Sequence, residues 1–169
     1  MLGQDVALLL KLTLETEPRI LSKKLASELF LSTAEISHSL RRCQNSGLLY
    51  WSDLEKRVNR PGLLEFLLHG LRYVFPAERG TLVRGIPTAA GAMPLKGQFI
   101  DDREPPSVWP YAEGNVRGLS FSPLYKCAPQ AALADSKLYE LLALCDALRG
   151  GRTRERTMAA DYLRKALNA

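Results

Sequence analysis

Histidines, cysteines and carboxylates decide first whether this chain carries covalent or metal chemistry. It has two histidines, His38 and His69, and neither belongs to a His-Glu-x-x-His pair. No phosphate loop of the G-x-x-x-x-G-K type and no G-x-S-x-G elbow occurs. His69 falls within a strongly apolar stretch, where an imidazole is more often structural than a ligand. Cys43, Cys127 and Cys145 are far apart and odd in number, which argues against a disulfide framework and a cysteine zinc site. Asp101-Asp102, followed by Arg103 and Glu104, reads as a solvated charge cluster rather than a cation site. The expectation is a protein that is not an enzyme, with no cofactor and no metal.

The usable chemistry lies in cations and hydroxyls between Lys23 and Arg57. Ile36, Leu40 and Cys43 share one helical stripe, so the opposite face offers Thr33, Ala34, Ser37, His38, Arg41 and Arg42, with Asn45 near its end. Short polar side chains beside arginine suit a helix that reaches base edges in a major groove, and Ser37, His38 and Arg41 are the base-edge candidates. Ser32 and Thr33, at the helix start, suit a phosphate. Lys23 and Lys24 can touch the backbone beside the groove, and Lys56 and Arg57 can reach a phosphate or the minor groove. Contacts of this kind give binding a steep salt dependence. Plainer readings stand beside these. Arg41 and Arg42 also fit a solvated helix face, and Lys56-Arg57 also fits charge protection of a strand edge.

Positioning these residues takes helices joined by short connections over residues 5–75. The pattern predicts a helix from Asp5 to Leu14, followed or ended by Pro18, and a second from Ile20 or Ser22 to Phe30. A third runs from Thr33 to about Ser46, opened by the Ser32/Glu35 capping box and closed by Gly47. Leu48–Trp51 and Lys56–Asn59 read as two short strands around a turn at residues 52–55. A fourth helix follows from Pro61 to Val74. Its apolar residues cover more than one stripe, which predicts burial on two sides, against the rest of the chain or another subunit.

Helix, short turn, helix, glycine and a two-stranded hairpin with basic residues is the order of a winged helix-turn-helix. Residues 20–59 resemble the DNA-binding core of MarR-like and Lrp-like bacterial transcription regulators. Ser22-Lys23-Lys24-Leu25-Ala26 is similar to their first motif helix. The run from Leu31-Ser32-Thr33 through Ser39-Leu40 resembles their recognition-helix entry, and Ser46-Gly47-Leu48-Leu49 resembles the lead into their wing. The resemblance implies a sequence-specific regulator of double-stranded DNA, a repressor acting as a homodimer. Residues 76–169 resemble no regulator family.

Residues 76–130 hold eight of the ten prolines and six of the twelve glycines, so they read as irregular. Apolar anchors argue against disorder, and short strands are expected near Thr81–Arg84 and Val116–Phe121. The segment either wraps over helices or presents Trp109, Tyr111 and Arg117 to a protein partner or small-molecule effector. Helical periodicity returns from Asp135 or Ser136 to Leu148 and again from Thr153. Between them Arg149, Arg152, Arg154 and Arg156 crowd eight residues. The last three are candidate phosphate or partner contacts, or else cap and pair within the helices.

The net charge of +5 permits a polyanionic partner without localising it, because the excess is spread along the chain. No apolar run reaches the ~18–20 residues of a bilayer span, and no signal peptide is apparent. A cytoplasmic location is expected. The expected architecture is mainly α: a winged helix-turn-helix with a following helix (1–75), an irregular middle (76–130), and a helical dimerisation region (131–169). Two other functions fit the same residues: a winged-helix protein-interaction subunit, and an antitoxin-like regulator binding a partner protein and its own promoter.

Overall fold

A helix that is apolar on every side has to be surrounded, and two segments have that pattern. Gly3–Leu14 forms α1, in which Val6 through Leu10 have no accessible surface. Ser136–Gly150 is the second, buried without a break from Leu141 to Arg149. The two pack against each other and make the axis of the molecule. The computed structural model describes residues 1–17, 19–52, 55–99 and 104–167. Pro18, part of the expected 52–55 turn and the Asp101-Asp102-Arg103 cluster lie outside them. Helix accounts for about 55% of the described residues and strand for 16%, so the chain is mainly α.

After α1 come α2 (Ser22–Leu29) and α3 (Thr33–Asn45), then β1 (Leu49–Trp51) antiparallel to β2 (Lys56–Val58). Local signals build them. Phe30 closes α2 in the left-handed region at φ 55°, and its N–H and that of Leu31 return to the last turn. Ser32 Oγ accepts from the Glu35 amide at 3.2 Å while the Glu35 carboxylate accepts from the Ser32 amide at 2.8 Å, which completes the predicted capping box. Gly47, at φ 72°, ends the α3 turn and turns the chain into β1.

The fourth helix, α4, starts at Arg60 with the Asn59 side chain capping the Gly62 amide. It continues as a π-helical segment, Phe66–Gly70, and ends as Leu71–Val74. Leu63, Leu67 and Leu71 are buried, while Leu64, Phe66 and Leu68 are half-buried against the same core.

The middle segment departs from the irregular reading. β3 (Arg79–Pro87), β4 (Ser107–Pro110) and β5 (Val116–Phe121) close on themselves: β3 is antiparallel to both others, and β4 runs parallel to β5. Two of its strands were expected; β4 was not. Closing three strands brings backbones very near one another. A Cβ on Gly85 would lie 2.0 Å from the Trp109 carbonyl oxygen, and one on Gly118 would lie 2.1 Å from that of Pro106. The glycines that suggest irregularity in the sequence are what permit the closure.

The chain then forms α5 (Ala128–Ala134), the axial helix α6 (Ser136–Gly150) and α7 (Thr153–Leu167). One hydrophobic cluster runs from Val6 to Leu167 and includes residues of all three zones. Three polar ties join remote parts. Lys11 Nζ contacts Asp135, Glu15 and Glu28 at 2.8, 3.0 and 3.1 Å, with its side chain 8% exposed. The Tyr125 hydroxyl donates to the Leu29 carbonyl at 3.1 Å. Asp146 accepts from Trp109 Nε1 (2.6 Å), Thr88 Oγ1 (2.8 Å) and Arg149 Nη1 (2.6 Å). Arg149 also donates to the carbonyls of Phe75, Pro76 and Ser122 and lies over the Phe121 ring.

Candidate nucleic-acid interface

The outward face of α3 follows from its buried one. Ile36, Ser39, Leu40 and Cys43 point into the core, where α3 packs on α1, α2 and β1. Thr33, Ala34, His38, Arg41 and Asn45 are left exposed, and Ser37 is half-buried with its hydroxyl donating to the Thr33 carbonyl at 3.0 Å. Ala34, His38, Arg41 and Asn45 follow one another at helical spacing along one stripe. His38, Arg41 and Asn45 make no hydrogen bond or ion pair with any described residue. Their donors and acceptors are therefore available to an outside partner.

Arg42 was expected on this face and is turned away from it. Its Nε and Nη2 form a two-pronged contact with the Asp5 carboxylate at 2.8 and 2.7 Å, and Nη2 also reaches Ser39 Oγ at 2.9 Å. Asp5 has no accessible surface. Burial works to raise its carboxyl, but hydrogen bonds from Arg42, the Leu2 amide and Ser39 outweigh it and hold the group below its ordinary value. Arg42 is thus a counter-ion that lets α1 meet α3.

Lys56 is also corrected. It is half-buried, and its Nζ donates to the Ile20 carbonyl at 2.8 Å, tying the hairpin to the entry of α2. Arg57 does project outward, 75% exposed, with Glu55 as its ion-pair partner. Directly across the hairpin stands Tyr50, 59% exposed, which the residue-type search passed over. Strand alternation was the available signal, since Leu49 inward puts Tyr50 outward. On α2, Lys23 and Lys24 are exposed. Lys24 pairs with Glu15 at 3.0 Å, and Lys23 makes no described contact.

The other candidates separate into fold and surface. Trp109 cannot meet a partner: it is 1% exposed, stacks at a tilt beside Tyr139, and spends its indole N–H on Asp146. Tyr111 is half-buried in the core. Arg117 is exposed on β5. Arg152 pairs with Glu104 at 2.9 Å beside a cleft of about 390 Å³ that Phe99, Leu119 and Arg79 help to line. Arg156 is half-buried, its Nη1 donating to the Gly151 carbonyl, so it caps the end of α6. Arg154 is exposed.

Buried thiols complete the chemical inventory. Burial pushes the Cys43 thiol up to about 12, and Cys145, fully enclosed, is raised further by the same cause. Neither is a nucleophile at neutral pH. Among the described residues no three His, Cys, Asp or Glu side chains gather to hold a metal ion, and no helix is long and apolar enough to cross a membrane. Neither the family models, nor the curated proteins, nor the solved structures compared with the chain match it.

Proposed function

We propose that this chain is a sequence-specific, double-stranded DNA-binding regulator that uses residues 1–75 as a winged helix-turn-helix. The observation that carries the reading is the outward stripe of α3. His38, Arg41 and Asn45 stand exposed with their polar groups uncommitted, on a helix whose first turn is capped. In this reading α3 enters the major groove, Arg41 reaches a base edge, and Ser32 and Thr33 meet a phosphate at the helix start. The β1–β2 hairpin is the wing, with Arg57 and Tyr50 its outward residues. Lys23 supplies a backbone contact. The protein acts as a dimer on two half-sites and represses by occluding a promoter.

A second reading has its own support. Leu21, Phe30 and Tyr50 are 72%, 49% and 59% exposed around the same motif. Apolar groups so placed suit a protein-interaction subunit.

Fluorescence anisotropy with duplexes from upstream of the gene, and a scrambled duplex as competitor, separates the two. The DNA reading expects selective binding, weakened about 5- to 150-fold by Arg41→Ala, the range of one base-edge contact. Absence of binding to any duplex at low salt refutes it and favours the protein-interaction role.

A further inference from the structure

The three-stranded closure carries a charge arrangement that the fold does not use. Arg84 of β3 stands directly opposite Arg117 of β5, and both are exposed. Like charges directly across a ladder destabilise a sheet. A neighbouring carboxylate normally offsets them, and here none does. Glu113, in the β4–β5 connection, forms no ion pair with either arginine, and neither makes a side-chain hydrogen bond with any described residue. The same ladder pairs Leu82 with Leu119 and Arg79 with Phe121, and no acidic residue lies among these registered positions. Arg79 donates to the Gly150 carbonyl and covers the Phe121 ring, so its charge is partly engaged. The Arg84–Arg117 pair is not.

Two guanidiniums held side by side on paired strands offer planar donor forks to a doubly liganded oxyanion. We infer that Arg84 and Arg117 form a second phosphate-binding surface, which grips the sugar-phosphate backbone of a nucleic acid outside the segment read by α3. It rests on the DNA-binding reading for its partner, but it uses different residues on a different element. It adds affinity without sequence preference, because phosphates carry no base identity.

The experiment measures anisotropy of the full chain on specific and scrambled duplexes across a salt series, for wild type, Arg84→Ala/Arg117→Ala, Arg84→Lys/Arg117→Lys and Arg41→Ala. Each phosphate released changes the slope of log K against log salt by about 0.9. The alanine pair is expected to weaken binding to both duplexes equally and to flatten the slope by about 1 to 2. The lysine pair is expected to keep most of the slope. Its thermal midpoint also matters: relieving the like-charge pair leaves the alanine variant at least as stable as wild type, so lost binding cannot be ascribed to unfolding. An unchanged slope in the alanine variant, with Arg41→Ala still weakening binding, overturns this proposal and leaves the α3 reading intact. A flattened slope with Arg41→Ala inert supports it and removes the α3 reading. Binding of inorganic phosphate at the arginine pair, with DNA binding unaltered by its loss, overturns it in favour of a small-anion site.

Discussion

Arg149→Met is the most informative single perturbation of the fold. Arg149 and Asp146 are 4% and 1% exposed at the side chain, and the pair joins α6 to the strand closure and to the end of α4. Methionine fills much of the volume but leaves a buried carboxylate with only Trp109 and Thr88 as donors. It also leaves the carbonyls of Phe75, Pro76 and Ser122 without that partner. Breaking a buried pair from one side typically removes about 3–5 kcal/mol. Neutralisation sets a ceiling on the charge part of that loss. Keeping a carboxyl protonated at pH 7, against an ordinary value near 3.9, costs about 4 kcal/mol, at roughly 1.4 kcal/mol per pH unit.

The sign of the pH dependence is fixed by the same argument. Burial already raises Asp146 above its ordinary value, although Arg149, Thr88 and Trp109 pull it back down. Without Arg149 it rises further, so the native variant holds a proton that the unfolded chain has lost. Stability of the variant therefore increases as pH falls from 7 towards 4. Urea titrations followed by circular dichroism should show a loss of about 3–4 kcal/mol at pH 7, shrinking to about 1–2 kcal/mol at pH 5. A loss below about 1 kcal/mol, or one equal at the two pH values, would refute the assignment of Asp146 and Arg149 as a dependent pair.

Other outcomes follow from the same contacts. Trp109→Phe removes one donor from the buried Asp146 and is expected to cost about 1–3 kcal/mol in the same titration, while circular dichroism of the native state stays unchanged. Ser32→Ala breaks the α3 cap and is expected to lower stability by about 1 kcal/mol, with Ser32→Asp restoring it. In acid, the groups that matter are Asp5, Glu15 and Asp135. Burial tends to raise each, but Arg42 on Asp5, and Lys11 on Glu15 and Asp135, hold them below their ordinary values. Their contribution is complete above the unfolded values near pH 4 and is lost as pH falls through the lower folded ones. An acid titration of wild type should therefore lose stability below about pH 4, and Arg42→Met should show a shallower loss because Asp5 no longer gains from ionising.

Local grammar was readable in this chain and distant pairing was not. The capping box at Ser32, the glycine at 47 and the alternation around Leu49 sit within a few residues of what they control. The limits of α2, α3 and the hairpin were accordingly placed within a residue or two. β4 was missed because Ser107–Pro110 is short and contains proline; only its neighbours β3 and β5 make it a strand. The π-helical turn of α4 likewise left no mark in the apolar pattern. At the candidate interface, His38, Arg41 and Asn45 fell on the exposed face because one helix's own periodicity decides that. Arg42, Lys56 and Trp109 were misplaced for the opposite reason. Their partners, Asp5, the Ile20 carbonyl and Asp146, come from elsewhere in the chain, and composition does not disclose a contact between remote residues.

The seating of α1 has a consequence for how the protein is made. Its outer side is covered by α3, which leaves the ribosome soon after it, and its other side by α6, whose last residues are synthesised more than a hundred positions later. Until then Val6 through Leu10 lack part of their cover, Lys11 lacks Asp135, and Leu29 lacks the Tyr125 hydroxyl. Non-local closure of this kind delays the reward for ordering the first helices. The nascent N-terminal segment is thus a client for whatever shields apolar helices during translation, and it becomes self-sufficient only when the carboxy-terminal third arrives. A chain cut after Val74 would keep the proposed reading head in sequence but not the helix that holds it shut.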